Sequence, residues 1–167
     1  MKRKGLVILV LVSMIGMSFT MKETLSDLLK KYNTESIPYI YHSGLSELKS
    51  KKHLLDAREI KEYKVSHLGG AIYVGYDSFD IKTVTDRISN RQDTVVVYCS
   101  LGIRSETIGE KLKAAGFKNV FNLYGGIFEW KNHNHKVYDL SGVETEKVHA
   151  FSKEWGIWLT KGTKVYD

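Results

Sequence analysis

Between Asp93 and Ser105 the hydrophobic pattern changes period once, and the change falls on the only cysteine of the chain. Thr94-Val-Val-Val-Tyr98 is a β-branched and aromatic run without polar alternation, which predicts a strand covered on both faces, as in a parallel sheet. From Ser105 to Ala115, apolar Ile108, Leu112 and Ala115 recur at helical spacing, with Glu106 in the first turn, Lys111 and Lys113 near the end, and Gly116 as a stop. The loop from Cys99 to Arg104 therefore joins a strand's carboxyl end to a helix's amino end, where open α/β sheets bind ligands.

The flanking pattern repeats this alternation. Leu25, Leu28, Leu29 and Tyr32 predict a short amphipathic helix within Met21 to Tyr32, capped by Thr24 or Ser26. Pro38 precedes Tyr39-Ile-Tyr41, an edge strand, and Ser43 to Lys49 reads as a capped helix with Leu45 and Leu48 inward. His53 to Asp56 is the next strand, and Glu59 to Tyr63 form one or two helical turns with Glu59 and Glu62 facing solvent. A strand at Ile72 to Val74, a helix at Phe79 to Ile88, and a strand at Asn119 to Leu123 follow. Gly125-Gly126 packs a loop against the site and opens a last helix that carries Trp130 into the core. The fold class is therefore α/β, a mostly parallel sheet with helices on both faces.

Residues 136–167 are less regular. Val137-Tyr138 and Val165-Tyr166 look like short strands, and Ser141-Gly142 and Lys161-Gly162 are turn signals. Trp155, Ile157, Trp158 and Leu159 make this extension too apolar for a free tail, so it is expected to pack on the domain, as filler or as a lid or docking surface.

At 167 residues, 43% hydrophobic and 11% aromatic, the composition suits one globular domain and excludes disordered and fibrous classes. Lys2-Arg-Lys4 precede an uncharged, largely apolar run from Gly5 to Met21 that is ended by Lys22. This reads as an export signal over residues 1–20, or as an uncleaved anchor, since the run approaches the about 20 residues a spanning helix needs. The domain is then expected outside the cytoplasm, periplasmic or otherwise extracytoplasmic, touching a membrane only through this segment. Without those three basic residues the net charge of +6 falls to +3, and no basic and aromatic interleaving points to nucleic acid. A lone cysteine makes no intramolecular disulfide, so Cys99 is either inert core or kept for its reactivity.

Its position favours reactivity. The thiolate is the nucleophile, and an ordinary thiol is only a few per cent ionised at neutral pH. A helix amino end, the cation of Arg104, and Gly102, which lets successive N–H groups turn inward, all stabilise an anion at Cys99. His133-x-His135 are two ligand-type side chains on one loop without a third at ligand spacing, so neither metal nor cofactor is expected.

Five motifs in register carry a resemblance: Asp56-x-Arg58; Glu62-Tyr63 with His67-x-x-Gly-Ala71; Val97-Tyr-Cys99-x-x-Gly102-x-Arg104-Ser105; Ala115-Gly-Phe117; and Leu123-x-Gly-Gly126-Ile-x-x-Trp130. Together, from about Ser36 to Trp130, they resemble a single rhodanese domain. The family's usual Gly-His-Ile-Pro-Gly-Ala stands here as Ser66-His-Leu-Gly-Gly-Ala71. The resemblance divides the chain into a helical lead-in at 21–35, a rhodanese domain at 36–135 and an extension at 136–167. It implies the five-stranded rhodanese fold and a sulfurtransferase in which Cys99 takes the sulfane sulfur of a small anionic donor such as thiosulfate. The sulfur, held as a persulfide, passes to cyanide or a thiol, including a protein acceptor; a sulfur carrier or redox module without turnover is the alternative. Arg104 is expected to orient the donor, with Ser100, Leu101, Gly102, Ile103 and Ser105 forming the binding loop. Arg58 either contacts substrate or ion-pairs with Asp56, and His67 is a supporting turn residue. Phosphatases and arsenate reductases of this fold place five residues between cysteine and arginine; here Ser100 to Ile103 make four.

Overall fold

The computed structural model describes residues 23–167; the expected export signal or anchor at 1–20 lies outside the described residues. Among the described residues no helix is long and apolar enough to cross a membrane. The elements run α1 (Leu25–Tyr32), β1 (Tyr39–Ile40), α2 (His42–Glu47), β2 (Lys52–Asp56), α3 (Ile60–Val65), β3 (Ile72–Tyr73), α4 (Ile81–Thr85), β4 (Thr94–Tyr98), α5 (Arg104–Ala114), β5 (Asn119–Leu123) and α6 (Gly126–Asn132). Beyond them lie β6 (Val137–Tyr138), β7 (Glu144–Thr145), β8 (Lys147–His149), α7 (Lys153–Gly156) and β9 (Thr163–Val165).

Five strands form one sheet in the order β1-β5-β4-β2-β3, and every neighbouring pair is parallel. β4 lies in the middle, which explains its unbroken apolar run. Val95 and Val97 point into a core with Leu55, Ile108 and Leu112, while Val96 and Tyr98 point into the other with Leu28, Leu45, Ile127 and Phe128. Helices α1, α2 and α6 thus cover one face, and α4 and α5 the other. The extension joins the core of Val96 and Tyr98 through Val137, Val148, Ala150 and Leu159, all fully buried. Its strands pair β6 with β7 antiparallel and β8 with β9 parallel, and β8 lies against α3.

Local chemistry moves several boundaries. Thr24 caps α1 in a reciprocal capping box with Asp27. Asp80 accepts from the Lys82 N–H and starts α4 at Ile81, so Phe79 stays outside a helix shorter than expected. α2 begins at His42 with Tyr41 as an N-cap that makes no side-chain bond, so Ser43 does not cap it. Trp130 is half-buried at the core edge rather than inside it; its indole donates to the Lys136 carbonyl at 2.9 Å and its ring stacks on His135.

Candidate active site

Cys99 follows the last residue of β4 and is 2% exposed. The loop after it curls back: Gly102 sits at φ +99°, and its N–H donates to Cys99 Sγ at 3.1 Å. A β-carbon at Gly102 would lie 3.1 Å from the Leu123 carbonyl oxygen, so both the conformation and the space require glycine. The Gly102 carbonyl accepts from Asn122 Nδ2 at 2.8 Å and Asn33 Nδ2 at 2.9 Å, which ties the loop to β5 and to the segment after α1. From below, the Ile127 and Phe128 N–H groups of α6 donate to the Cys99 and Ser100 carbonyls at 2.9 and 3.1 Å. The approach is so close that a β-carbon on Gly126 would stand 2.3 Å from the Cys99 oxygen, the physical content of the Gly125-Gly126 pair.

Ser105, in the first turn of α5, has one hydroxyl proton to give. It donates to Asn122 Oδ1 at 2.7 Å or, when sulfur carries charge, to Cys99 Sγ at 3.6 Å. Burial pushes the Cys99 thiol up; the Arg104 cation, the Ser105 hydroxyl and N–H, and the Gly102 N–H outweigh it and leave the thiol below its ordinary value. The group is a buried nucleophile shifted toward thiolate.

Arg104 is not a free cation waiting for a donor. Its two terminal nitrogens donate to the two Glu62 oxygens at 2.8 Å each, and one also reaches Ser100 Oγ at 3.1 Å. Glu62, expected in solvent, is fully buried; it also accepts from Ser100 Oγ and from the Glu59 N–H, both at 2.9 Å. Burial pushes the Glu62 carboxyl up, but the Arg104 hydrogen bonds and charge pull it net below the ordinary carboxylate value. The expectation failed because a six-residue helix at a loop edge points its inner turn at the neighbouring loop, which an apolar pattern does not register. Arg104 thus shapes the loop and acts on Cys99 through its field.

Arg58, a candidate substrate contact, is fully buried. It donates to Asp56 through Nε at 3.0 Å and Nη2 at 2.7 Å and to the Ser66 carbonyl at 2.6 Å, while Asp56 also accepts the Arg58 N–H at 3.0 Å. Of the two readings open for this pair, the ion pair at a strand end is the one observed. His67 exchanges backbone hydrogen bonds with Tyr138 at 2.9 Å and stacks on Tyr63. At the end of α6, His42 stacks on His133 and brings Nδ1 within 3.0 Å of His135 Nε2, an imidazole the sequence did not bring to this pair. Among the described residues no group of three or more side chains has a geometry able to hold a metal ion.

A cavity of about 120 Å³ opens beside Cys99. Ser100, Leu101, Ile103 and Arg104 of the loop line one side, and Phe151 and Trp155 of the extension line the other. These aromatics, Glu62 and Asn122 are the site residues that sequence reasoning missed.

A parallel sheet with a thiol at its central strand end, cradled by backbone N–H groups at a helix start, defines a class of loop-cysteine proteins that hold an anion or a transferred group on sulfur. The Rhodanese-like domain family matches residues 24–133, and the chain belongs to that family. It is 31% identical over 104 residues to "Putative sulfur carrier protein YrkF" of Bacillus subtilis, covering 59% of this chain and 53% of that protein. It is 29% identical over 97 residues to thiosulfate sulfurtransferase GlpE of Coxiella burnetii, covering 57% of this chain and 88% of that one. The chain spans about half the length, or less, of the first curated relatives it matches. In fold it is similar to the crystal structure of BH2092 from Bacillus halodurans, with TM-score 0.55, 22% identity, and coverage of 71% of this chain and 89% of that one. The five-stranded α/β rhodanese fold is thereby established, and with it membership of a sulfur-transfer family.

Proposed function

We propose that this protein is a sulfurtransferase that carries sulfane sulfur as a persulfide on Cys99. The observation that carries the reading is the thiol itself, shifted toward thiolate by Arg104, Ser105 and Gly102 and open to a cavity of about 120 Å³. The thiolate attacks the outer sulfur of a donor, the donor's S–S bond breaks, and its leaving group departs with the electron pair. A thiol or cyanide then attacks the bound sulfur and releases Cys99 as thiolate, a two-step covalent cycle. Gly102 and Ser105 stabilise the sulfur anion before and after each step, and the Glu62–Arg104 pair holds the loop in shape. The basic and apolar N-terminus supports an extracytoplasmic site for this chemistry, tested by fractionating cells that express the full chain.

Intact-mass measurement after exposure to a sulfane-sulfur donor should show an adduct of about 32 Da, one sulfur atom, on the wild type and none on Cys99→Ser. Absence of the adduct from every donor would defeat the reading. The sulfur-carrier name of the Bacillus subtilis relative supports a second reading, in which the persulfide is held for a protein partner. It is distinguished by stoichiometric loading without turnover with small thiols or cyanide.

A further inference from the structure

The cavity at Cys99 is built from two sources. The loop belongs to the family segment, but Phe151 and Trp155 come from beyond residue 133, where the family match ends. The wall they add is aromatic, and Leu101 and Ile103 opposite it are aliphatic. Among the described residues Arg104 is the one cation lining the cavity, and Glu62 accepts from both of its terminal nitrogens. One face of its guanidinium lies against Phe151, with the guanidinium carbon 5.0 Å from the centre of that ring. A multiply charged donor entering here gives up water and meets an ion pair of zero net charge.

Phe151 is also held at a cost. Its φ of +64° is a left-handed backbone that a bulky residue rarely adopts, and the side chain stays 45% exposed, so burial does not account for the position. The turn around it is over-determined: its N–H donates to His149 Nδ1 at 3.1 Å, and Ser152 caps α7 from the Trp155 N–H at 3.4 Å. Trp155 packs edge-on against Tyr32 of the lead-in helix, with ring centres 5.7 Å apart. The effect is to set two rings at the mouth of the thiol cavity.

Resting on the sulfur-transfer reading above, we propose that Phe151 and Trp155 select persulfides and thiols with a compact apolar body over multiply charged donors such as thiosulfate. With a donor R–S–SH, where R is a small alkyl or aryl group, the Cys99 thiolate attacks the terminal sulfur and the Sγ–S bond forms. The donor's S–S bond breaks, and the electron pair leaves on R–S⁻, which takes the proton from the new persulfide and departs as R–SH. No oxidant or reductant is consumed. The same rings receive R of an incoming thiol when the sulfur is discharged.

The test loads the purified full chain with benzyl persulfide, 4-carboxybenzyl persulfide and thiosulfate, and follows the sulfur adduct on Cys99 by intact mass. Benzyl persulfide should load about 10-fold or more faster than its twin bearing one added para carboxylate, and faster than thiosulfate. In Phe151→Gly and Trp155→Ala the benzyl persulfide rate should fall by about 10-fold or more, with the thiosulfate rate within about 3-fold of wild type. Glycine is at ease at φ +64°, so the first variant removes the ring without backbone strain. Equal rates for the two benzyl donors, or faster loading by thiosulfate, overturn the proposal in the wild type whatever the variants do. Unchanged donor preference in both folded variants overturns it as well. Failure of all three donors to load Cys99 instead overturns the sulfur-transfer reading on which it rests.

Discussion

Replacing Glu62 by glutamine isolates the electrostatic hold on the loop. The carboxylate accepts Arg104 twice at 2.8 Å, Ser100 Oγ at 2.9 Å and the Glu59 N–H at 2.9 Å, so all of its bonds come from donors. Glutamine keeps the shape but presents an N–H₂ group to one of these edges, where donor meets donor, and it leaves the Arg104 cation without its counter-charge. Breaking a buried pair on one side costs about 3–5 kcal/mol. Arg104 keeps 17% of its side-chain surface, so water recovers part of this. The expected loss is about 2–4 kcal/mol, or a melting temperature about 4–16 °C lower for a chain of this size. Circular dichroism in urea and on heating measures it. The pH dependence supplies the sign. Glu62 is held below its ordinary value of 4.5 in the folded chain, so its contribution is full above 4.5 and is lost as pH falls through the lower folded value. Glutamine does not titrate, so the gap between wild type and Glu62→Gln should be constant near neutrality and close in acid. A gap under about 1 kcal/mol at pH 7, the size of a surface pair, or a gap that widens in acid, would refute the claim that this carboxylate holds the loop.

Other consequences follow from the same geometry. Arg104→Gln removes the cation beside Cys99, so the pH midpoint of iodoacetamide alkylation should move up and alkylation at pH 7 should slow; an unchanged midpoint assigns the thiolate bias to the backbone alone. Ser105→Ala deletes the hydroxyl shared by Sγ and Asn122 Oδ1, with an expected loss of about 1–2 kcal/mol and an upward shift of the same midpoint. Gly126→Ala places a β-carbon 2.3 Å from the Cys99 carbonyl oxygen at φ +55°, and should yield a chain that unfolds early or does not accumulate, whereas Gly70→Ala, with open space around it, should lose far less. Arg58→Ala should lose about 3–5 kcal/mol by stranding Asp56, yet leave the donor KM of the surviving folded fraction unchanged. A raised KM there would return Arg58 to the substrate site.

The sequence was most legible where one physical rule acts alone. β4 is legible to the residue, because a strand buried on both faces writes an apolar run; the bounds of β5, Asn-Val-Phe-Asn-Leu, also agree, and α5 lies within one residue, because its apolar stripe, end charges and terminal glycine agree. α2 and α4 differ at their ends, since Tyr41 starts α2 without a side-chain cap and Asp80, inside the span expected to be helical, caps α4 immediately before Ile81. Glu62 was misread for a related reason: a carboxylate in a short amphipathic turn has the same local pattern whether it meets water or an arginine forty-two residues away.

The five motifs in register between Asp56 and Trp130 made the family legible, and the six residues from Cys99 to Arg104, at a strand-to-helix junction with one glycine, singled out the candidate thiol and its loop. The latter are local properties, written within a span the backbone cannot rearrange. What surrounds the thiol was decided only by the fold. Packing of β4 and β5 set Asn122 beside Ser105, α3 turned Glu62 onto Arg104, and the burial of Val148, Ala150 and Leu159 brought Phe151 and Trp155 back to the cavity. Each of these contacts joins residues distant in sequence, and their pairing is set by the burial of apolar surface across the whole domain rather than by any neighbour along the chain.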